Sequence, residues 1–322
     1  MRKKRTQKWR AAAFSLAVAL AAGGCGESTP MASEEEVVEG YTDAQIRLVV
    51  ATERNRYSKV YSGQIWGVKV GDEEVTFQEY LLGEVRHFLE EVKTMNLLAD
   101  QQQIDLTSQE KERLRELTED YYSSLTEADK AYTGISEDEV YQLYMEYHRA
   151  GKLVDELTKN VDMEISDSEA KVITVQEIRV SDNDKAKRIH TQAMGAGVDF
   201  SSLARAVSED SQIEKSVGRG ERSREYEDAV FILAEEEISP IIRDGDGFYI
   251  VKCINEYDEE ATLERKQKLA LNRKNQAFRK VYEGFAAENP VVLEGNIWDR
   301  FPFADEGSTT ADFFEWYGDY ME

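Results

Sequence analysis

Between Thr76 and Leu157 the apolar side chains recur every three or four positions, a spacing that only a helix gathers onto one face. The first run begins near Thr76 and carries Phe77, Leu81, Val85, Phe88, Leu89, Val92 and Met95. The second opens with Thr107 three residues before Glu110, the reciprocal pattern of a capping box, and continues through Leu114, Leu117, Tyr121 and Leu125. Ser136 and Glu139 stand in the same relation ahead of Val140, Leu143, Tyr144, Tyr147, Val154 and Leu157. Three amphipathic helices in a row bury their stripes most simply against one another, so this stretch predicts a helical lobe whose stripes are core. Just before it, residues 64–72 read as a short strand and turn.

From about residue 171 to 257 the period changes. Residues 172–175 and 248–254 alternate or run apolar in the manner of strands, with helical spacing between them, which predicts a second domain of α+β type. A charged helix follows over about 261–288, with Leu263, Leu271, Phe278, Val281, Tyr282 and Phe285, and stops before Pro290. From Asn296 onward Trp298, Phe301, Phe303, Phe313, Phe314, Trp316, Tyr317 and Tyr320 stand among acidic residues. So many aromatics predict docking onto the chain's own body, or else a partner-binding segment.

The amino-terminal end has its own logic. Arg2, Lys3, Lys4, Arg5, Lys8 and Arg10 form a basic start, and twelve apolar or small residues follow from Ala11 to Ala22. As a helix these twelve would reach about 18 Å, against the roughly 30 Å core of a bilayer, too short for a permanent span. The stretch closes on Ala22, Gly23, Gly24 and Cys25, which resembles a lipobox with Ala22 where Leu is commoner. An exported lipoprotein anchored to the membrane through lipid on Cys25 is therefore expected, an ordinary cleaved signal being the alternative. The expected division is a signal peptide at 1–24, a flexible tether at 25–44, a helical lobe at 45–170, the α+β domain at 171–257, a returning helix at 258–290 and an aromatic, acidic tail at 291–322.

The formal charge is −24, and the six basic residues of the leader carry +6, so the processed chain would stand at −30. Nucleic acid is excluded as a natural partner by that sign. Beyond the anchor only Cys253 remains, so no intrachain disulfide supports the fold, and its apolar, strand-like setting reads as buried. His87, His148 and His190 are isolated from one another and have neither zinc nor triad spacing. Asp244, Gly245, Asp246 and Gly247 read as a β-turn, because the twelfth position of a calcium loop would fall on Asn255. Gly218, Arg219 and Gly220 likewise read as a turn. No cofactor and no metal is implied.

What remains is a pattern spread through the second domain. Val175 to Ser181 precede a helix carrying Ala186 and Ile189; Gly197 to Phe200, Leu203 and Ala204, then Ser208 to Ser211, follow; Tyr226 to Phe231, Glu237 to Pro240 and Asp246 to Lys252 close it. In this order and spacing the segments resemble a parvulin-type peptidyl-prolyl isomerase domain. With a leader before it and helical segments on both sides, the whole resembles the extracytoplasmic foldases of the PrsA and SurA kind. The resemblance implies an α+β fold in which N- and C-terminal segments build one helical chaperone lobe beside a domain with a small antiparallel sheet and flanking helices. It also implies site residues. The two histidine positions of active parvulins fall on Glu177 and Tyr249, the central acid on Asp210, and the proline-pocket aromatics on Tyr226 and Phe231. These residues suggest a cluster in which Tyr249 donates to a carboxylate and the acids Glu177 and Asp210 share a proton.

The expected partners are unfolded or proline-containing exported polypeptides and, through the anchor, the membrane; a homodimer is left open. The leading expectation is an extracytoplasmic folding factor that binds such chains and, as active family members do, speeds rotation about the bond before proline, whose barrier is near 20 kcal/mol. The alternative is a catalytically inactive, parvulin-like holdase. A solute-binding lipoprotein is a third class, but it needs two α/β lobes that this helix-rich pattern does not offer.

Overall fold

The computed structural model describes residues 40–321 apart from 62, 72–74, 302, 304–306 and 311; Cys25 and the rest of the leader and tether up to residue 39 lie outside the described residues. Two units are present, one built from the chain up to Asn160 together with Ala277 onward, the other from Val161–Gln276.

The first unit is helical. Helix α1 (Asp43–Ser58) is followed by a 3-10 turn (Gly63–Gly67) and an antiparallel pair of very short strands, β1 (Lys69–Val70) and β2 (Val75–Thr76). Then come α2 (Phe77–Gln101), α3 (Ser108–Ser124), α4 (Glu127–Thr133) and α5 (Glu137–Thr158). Each of α2 to α5 starts with a capping box, in which a Thr or Ser hydroxyl accepts from the third backbone N–H and that residue's carboxylate accepts from the cap's own N–H. The predicted strand at 64–67 is instead the 3-10 turn. Thr76 is committed as the cap of α2, so strand pairing reaches back only as far as Lys69. Helix α1 carries no visible apolar stripe because it is buried nearly all round: Gln45, Thr52, Glu53, Arg54 and Asn55 are as covered as Leu48, Val49 and Val50.

The second unit begins with the short α6 (Asp167–Ala170), then β3 (Val172–Val180), α7 (Asn183–Ala193), α8 (Phe200–Val207), β4 (Glu214–Gly218), α9 (Arg224–Val230), β5 (Ile242–Asp244) and β6 (Gly247–Asn255). The four strands form one antiparallel sheet in the order β4-β3-β6-β5. Strand alternation sends Ile173 and Val175 of β3, with Val251 and Cys253 of β6, to one face, where Tyr226, Val230 and Phe231 of the α9 region pack on them. Ile178, Val180 and Ile250 face the other way, onto α7 and α8. Asp244 pairs with Gly247 across a two-residue hairpin whose first central residue, Gly245, has φ +59°, so the predicted turn is the β5–β6 connection.

Helix α10 (Glu259–Glu288) gives its early turns to the second unit and its last turns to the first, where Phe278 and Tyr282 are buried. Leu263, Leu271 and Val281 on the same helix stay exposed, so the apolar stripe expected there is only partly used. Helices α11 (Ile297–Arg300) and α12 (Phe313–Met321) complete the first unit, and Trp298, Phe301, Phe303, Phe313 and Phe314 are part of its core. The fold is thus α+β, with a helical lobe assembled from both ends of the described chain. Among the described residues no helix is long and apolar enough to cross a membrane.

Candidate functional site

On the sheet face covered by α9 the alternation of β3 brings up, after Ile173 and Val175, the carboxylate of Glu177, only 1% exposed. A buried charge survives only with partners, and Glu177 has three. Lys215 Nζ donates to its Oε1 at 2.6 Å, the Tyr226 hydroxyl donates to its Oε2 at 2.7 Å, and Arg222 Nη1 lies 3.3 Å from the same oxygen. The register explains Lys215: it pairs with Val175 on β4, two residues along from Ile213, whose carbonyl accepts the Glu177 N–H, and so reaches Glu177 diagonally.

Lys215 also donates to Asp210 Oδ2 at 2.6 Å, so one ammonium bridges the two acids. The Lys215 hydrogen bond, helped by the Gln212 N–H, holds the Asp210 pKa below its ordinary value. Burial alone would lower the Lys215 pKa, but its hydrogen bonds to Asp210 and Glu177 more than offset this, and the ammonium is held above its usual value. The shared proton expected between Glu177 and Asp210 is therefore replaced by a shared ammonium. Two carboxylates compete for a proton only when no cation stands between them, and here one does.

The donor to the carboxylate is Tyr226 rather than Tyr249. Burial first, and the neighbouring Glu177 charge second, drive the Tyr226 pKa up, so it remains a donor. Tyr249 sits opposite Arg179 in the β3–β6 register. Its ring meets Tyr226 edge-on at 5.9 Å.

The aromatics assigned to a proline pocket are both capped by arginines. The Arg222 guanidinium lies 4.0 Å from the Tyr226 ring centroid and 5.0 Å from that of Tyr249; Arg219 lies 4.4 Å from that of Phe231. Arg222 is held in turn by Asp244 Oδ2 at 3.1 Å. Tyr226 is fully buried and Phe231 nearly so. Five residues named from the sequence, Glu177, Asp210, Tyr226, Tyr249 and Phe231, thus lie on or beside one sheet face. Sequence reasoning missed Lys215, Arg219, Arg222 and Asp244. The only signal was their charge, with Lys215 just before Gly218, Arg219 and Arg222 just after it and Asp244 at the later turn, and it is seen to point inward only once the strands and their register are known.

Residues 169–255, which contain this four-stranded antiparallel sheet, match the Rotamase family model, a PPIC-type PPIase domain, so this stretch is a parvulin-type domain. The chain is also similar to solved PrsA structures. Peptidylprolyl isomerase PrsA from Bacillus cereus is 18% identical, with 79% of this chain and 97% of that one covered, at a TM-score of 0.38. Foldase protein PrsA from Streptococcus pneumoniae is 17% identical over 71% and 96%, at 0.29, and PrsA from Bacillus subtilis 17% identical over 73% and 96%, at 0.26. No curated protein matches. With TM-scores below 0.5, the assignment of the domain rests on the family match.

Proposed function

We propose that this chain is an extracytoplasmic folding factor, held to the membrane by lipid on Cys25, which binds unfolded exported polypeptides and whose parvulin-type domain binds them without isomerising proline. The observation that carries the second part is the Arg222 guanidinium stacked on a fully buried Tyr226 and paired with Glu177. A rotamase favours the twisted amide by removing water from the proline ring in an apolar pocket and arranging hydrogen bonds around the carbonyl. Arg222 over the Tyr226 ring puts a charge against the aromatic assigned to such a pocket, and the acids Glu177 and Asp210 are tied to Lys215, which supports the non-catalytic reading. The leader sequence and the match of residues 169–255 to the PPIC-type PPIase family support the broader reading. Outside the cytoplasm there is no ATP, and a binding chaperone needs none.

The test is a proline-peptide isomerisation assay on the purified body beside an aggregation assay with an unfolded substrate. Suppressed aggregation with isomerisation at the uncatalysed rate is the expected result. Catalysis that disappears in Asp210→Ala would overturn the non-catalytic reading and make the domain an enzyme.

A further inference from the structure

We infer that the groove of the helical unit that holds residues 307–310 and 312–321 is a peptide-binding site, filled here by the chain's own segment, and that unfolded chains with small hydroxyl residues followed by paired aromatics bind in it by displacing that segment. This rests on the folding-factor reading and adds to it a site and a motif.

The walls of the groove read main chain. From α4, Asp129 Oδ1 accepts the backbone N–H of Thr309 at 2.6 Å and of Thr310 at 3.0 Å. From α1, Asn55 Nδ2 donates to the carbonyls of Ser308 at 2.9 Å and Thr310 at 2.8 Å. From α5, the Tyr144 hydroxyl donates to the Phe313 carbonyl at 2.9 Å. Five backbone groups of the segment are thus recognised by three side chains from three helices, all three buried. Any sequence presents those groups, whereas side-chain selectivity is confined to a few places. The Ser308 hydroxyl donates to Asp129 at 3.0 Å, and the Thr310 hydroxyl is 2.9 Å from that of Tyr121.

Beyond the polar wall come two aromatic seats. The Phe313 ring stacks on Tyr144 at 4.2 Å with parallel planes, and Phe314 lies edge-on to Tyr147 at 5.3 Å and to Phe88 at 5.7 Å. Main-chain hydrogen bonds for affinity, with pockets for alternate side chains, are how peptide-binding domains hold diverse extended ligands. The capping boxes of α3 and α5 use Glu110 and Glu139, whereas the Asp129 carboxylate serves both the α4 box and the segment. Residues 307–310 lie in the groove without helix or strand structure. Of α12, Phe313 and Phe314 are buried, while Trp316, Tyr317, Tyr320 and Met321 pack half-buried against the core and the Tyr317 hydroxyl is 2.7 Å from His148 Nδ1. Release therefore requires undocking this aromatic face together with the Ser308 to Thr310 contacts.

Hydrogen exchange on the full chain tests this, with reduced, carboxymethylated α-lactalbumin as the unfolded probe and a synthetic peptide of residues 307–321 as competitor. Alone, the amides of 307–321 are expected to exchange at least tenfold faster than those of α2 and α5, through a local opening. Excess peptide, and separately the unfolded probe, should each lower their protection at least a further tenfold while α2 and α5 stay protected. Phe313→Ala, which alters the segment and not the groove, should tighten probe binding about tenfold. Exchange of 307–321 only together with α2 and α5 would make the segment ordinary core and overturn the inference. So would bound probe that leaves its protection unchanged, a result that spares the chaperone reading. Absence of any probe binding would remove both, and is told apart by the binding signal itself.

Discussion

At Glu177 the strand's inward alternation calls for an apolar side chain, and a carboxylate stands there with Lys215, Arg222 and Tyr226 gathered around it. The cluster makes these partners interdependent. Tyr226→Phe removes the donor at 2.7 Å and leaves a buried carboxylate oxygen short of a hydrogen bond, which should cost about 2 kcal/mol in urea unfolding. A second buried acid lies in the first unit. Glu53 on α1 is 1% exposed, and burial, only partly offset by Arg56, raises its pKa to about 7. A raised folded-state pKa means the stability linked to the protonated form is complete below the unfolded value near 4.3 and is lost as pH rises through about 7. Glu53→Gln keeps the neutral form at every pH. It should match the parent near pH 4 and exceed it at pH 8 by up to about 3 kcal/mol, as read from denaturation midpoints at the two pH values.

Among the elements, the helices of the first unit owe their starting points to local chemistry. Thr107 caps α3 while the Glu110 carboxylate accepts the Thr107 N–H and also holds Lys152 of α5 at 2.7 Å. Burial works against ionisation of Glu110, but the Lys152 and Thr107 hydrogen bonds prevail and lower its pKa to about 2. That contribution is present above the unfolded value and lost as pH falls from about 4 towards 2. Thr107→Ala removes one half of the box and should lower stability by about 1 kcal/mol at neutral pH, seen as a reduced Tm with the far-ultraviolet spectrum preserved. In the second unit the equivalent local device is the Gly245 turn, which sets the β5–β6 register and so places Asp244 where it can hold Arg222.

For the whole molecule, the proposed anchor and the acidic charge work together. A processed chain near −30 is repelled by anionic surfaces, so attachment would depend on lipid at Cys25 rather than on the protein's own surface. Cys25→Ala should move the protein from the membrane pellet to the soluble fraction of the producing bacterium; retention in the pellet would count against the anchor. Both ends of the described chain contribute to one helical core, with Phe278, Tyr282, Trp298 and Phe313 joining Val85, Leu114 and Tyr144. That unit is therefore completed only after the parvulin-type domain has been made, which fits a chain whose second unit is inserted into its first.

The sequence alone determined what depends on neighbours in the chain: the stripes of α2, α3 and α5, their Thr and Ser caps, the turn at Gly245, and the segments around Glu177, Asp210 and Tyr226 that resemble a parvulin-type domain. It did not reveal α1, because a helix buried on nearly every side has no period to read. Nor did it reveal what fills the site. That Lys215 bridges Glu177 and Asp210, that Tyr226 and not Tyr249 donates, and that Arg222 lies on Tyr226 all follow from the β4–β3–β6 register and the path of the loop before α9. Those are contacts between residues 4 to 49 positions apart, and the longer ones are fixed by tertiary pairing rather than by local spacing. The same holds at Asn55 and Asp129, two polar residues unremarkable in sequence, whose significance lies in the backbone of Ser308 to Thr310 that the fold carries to them.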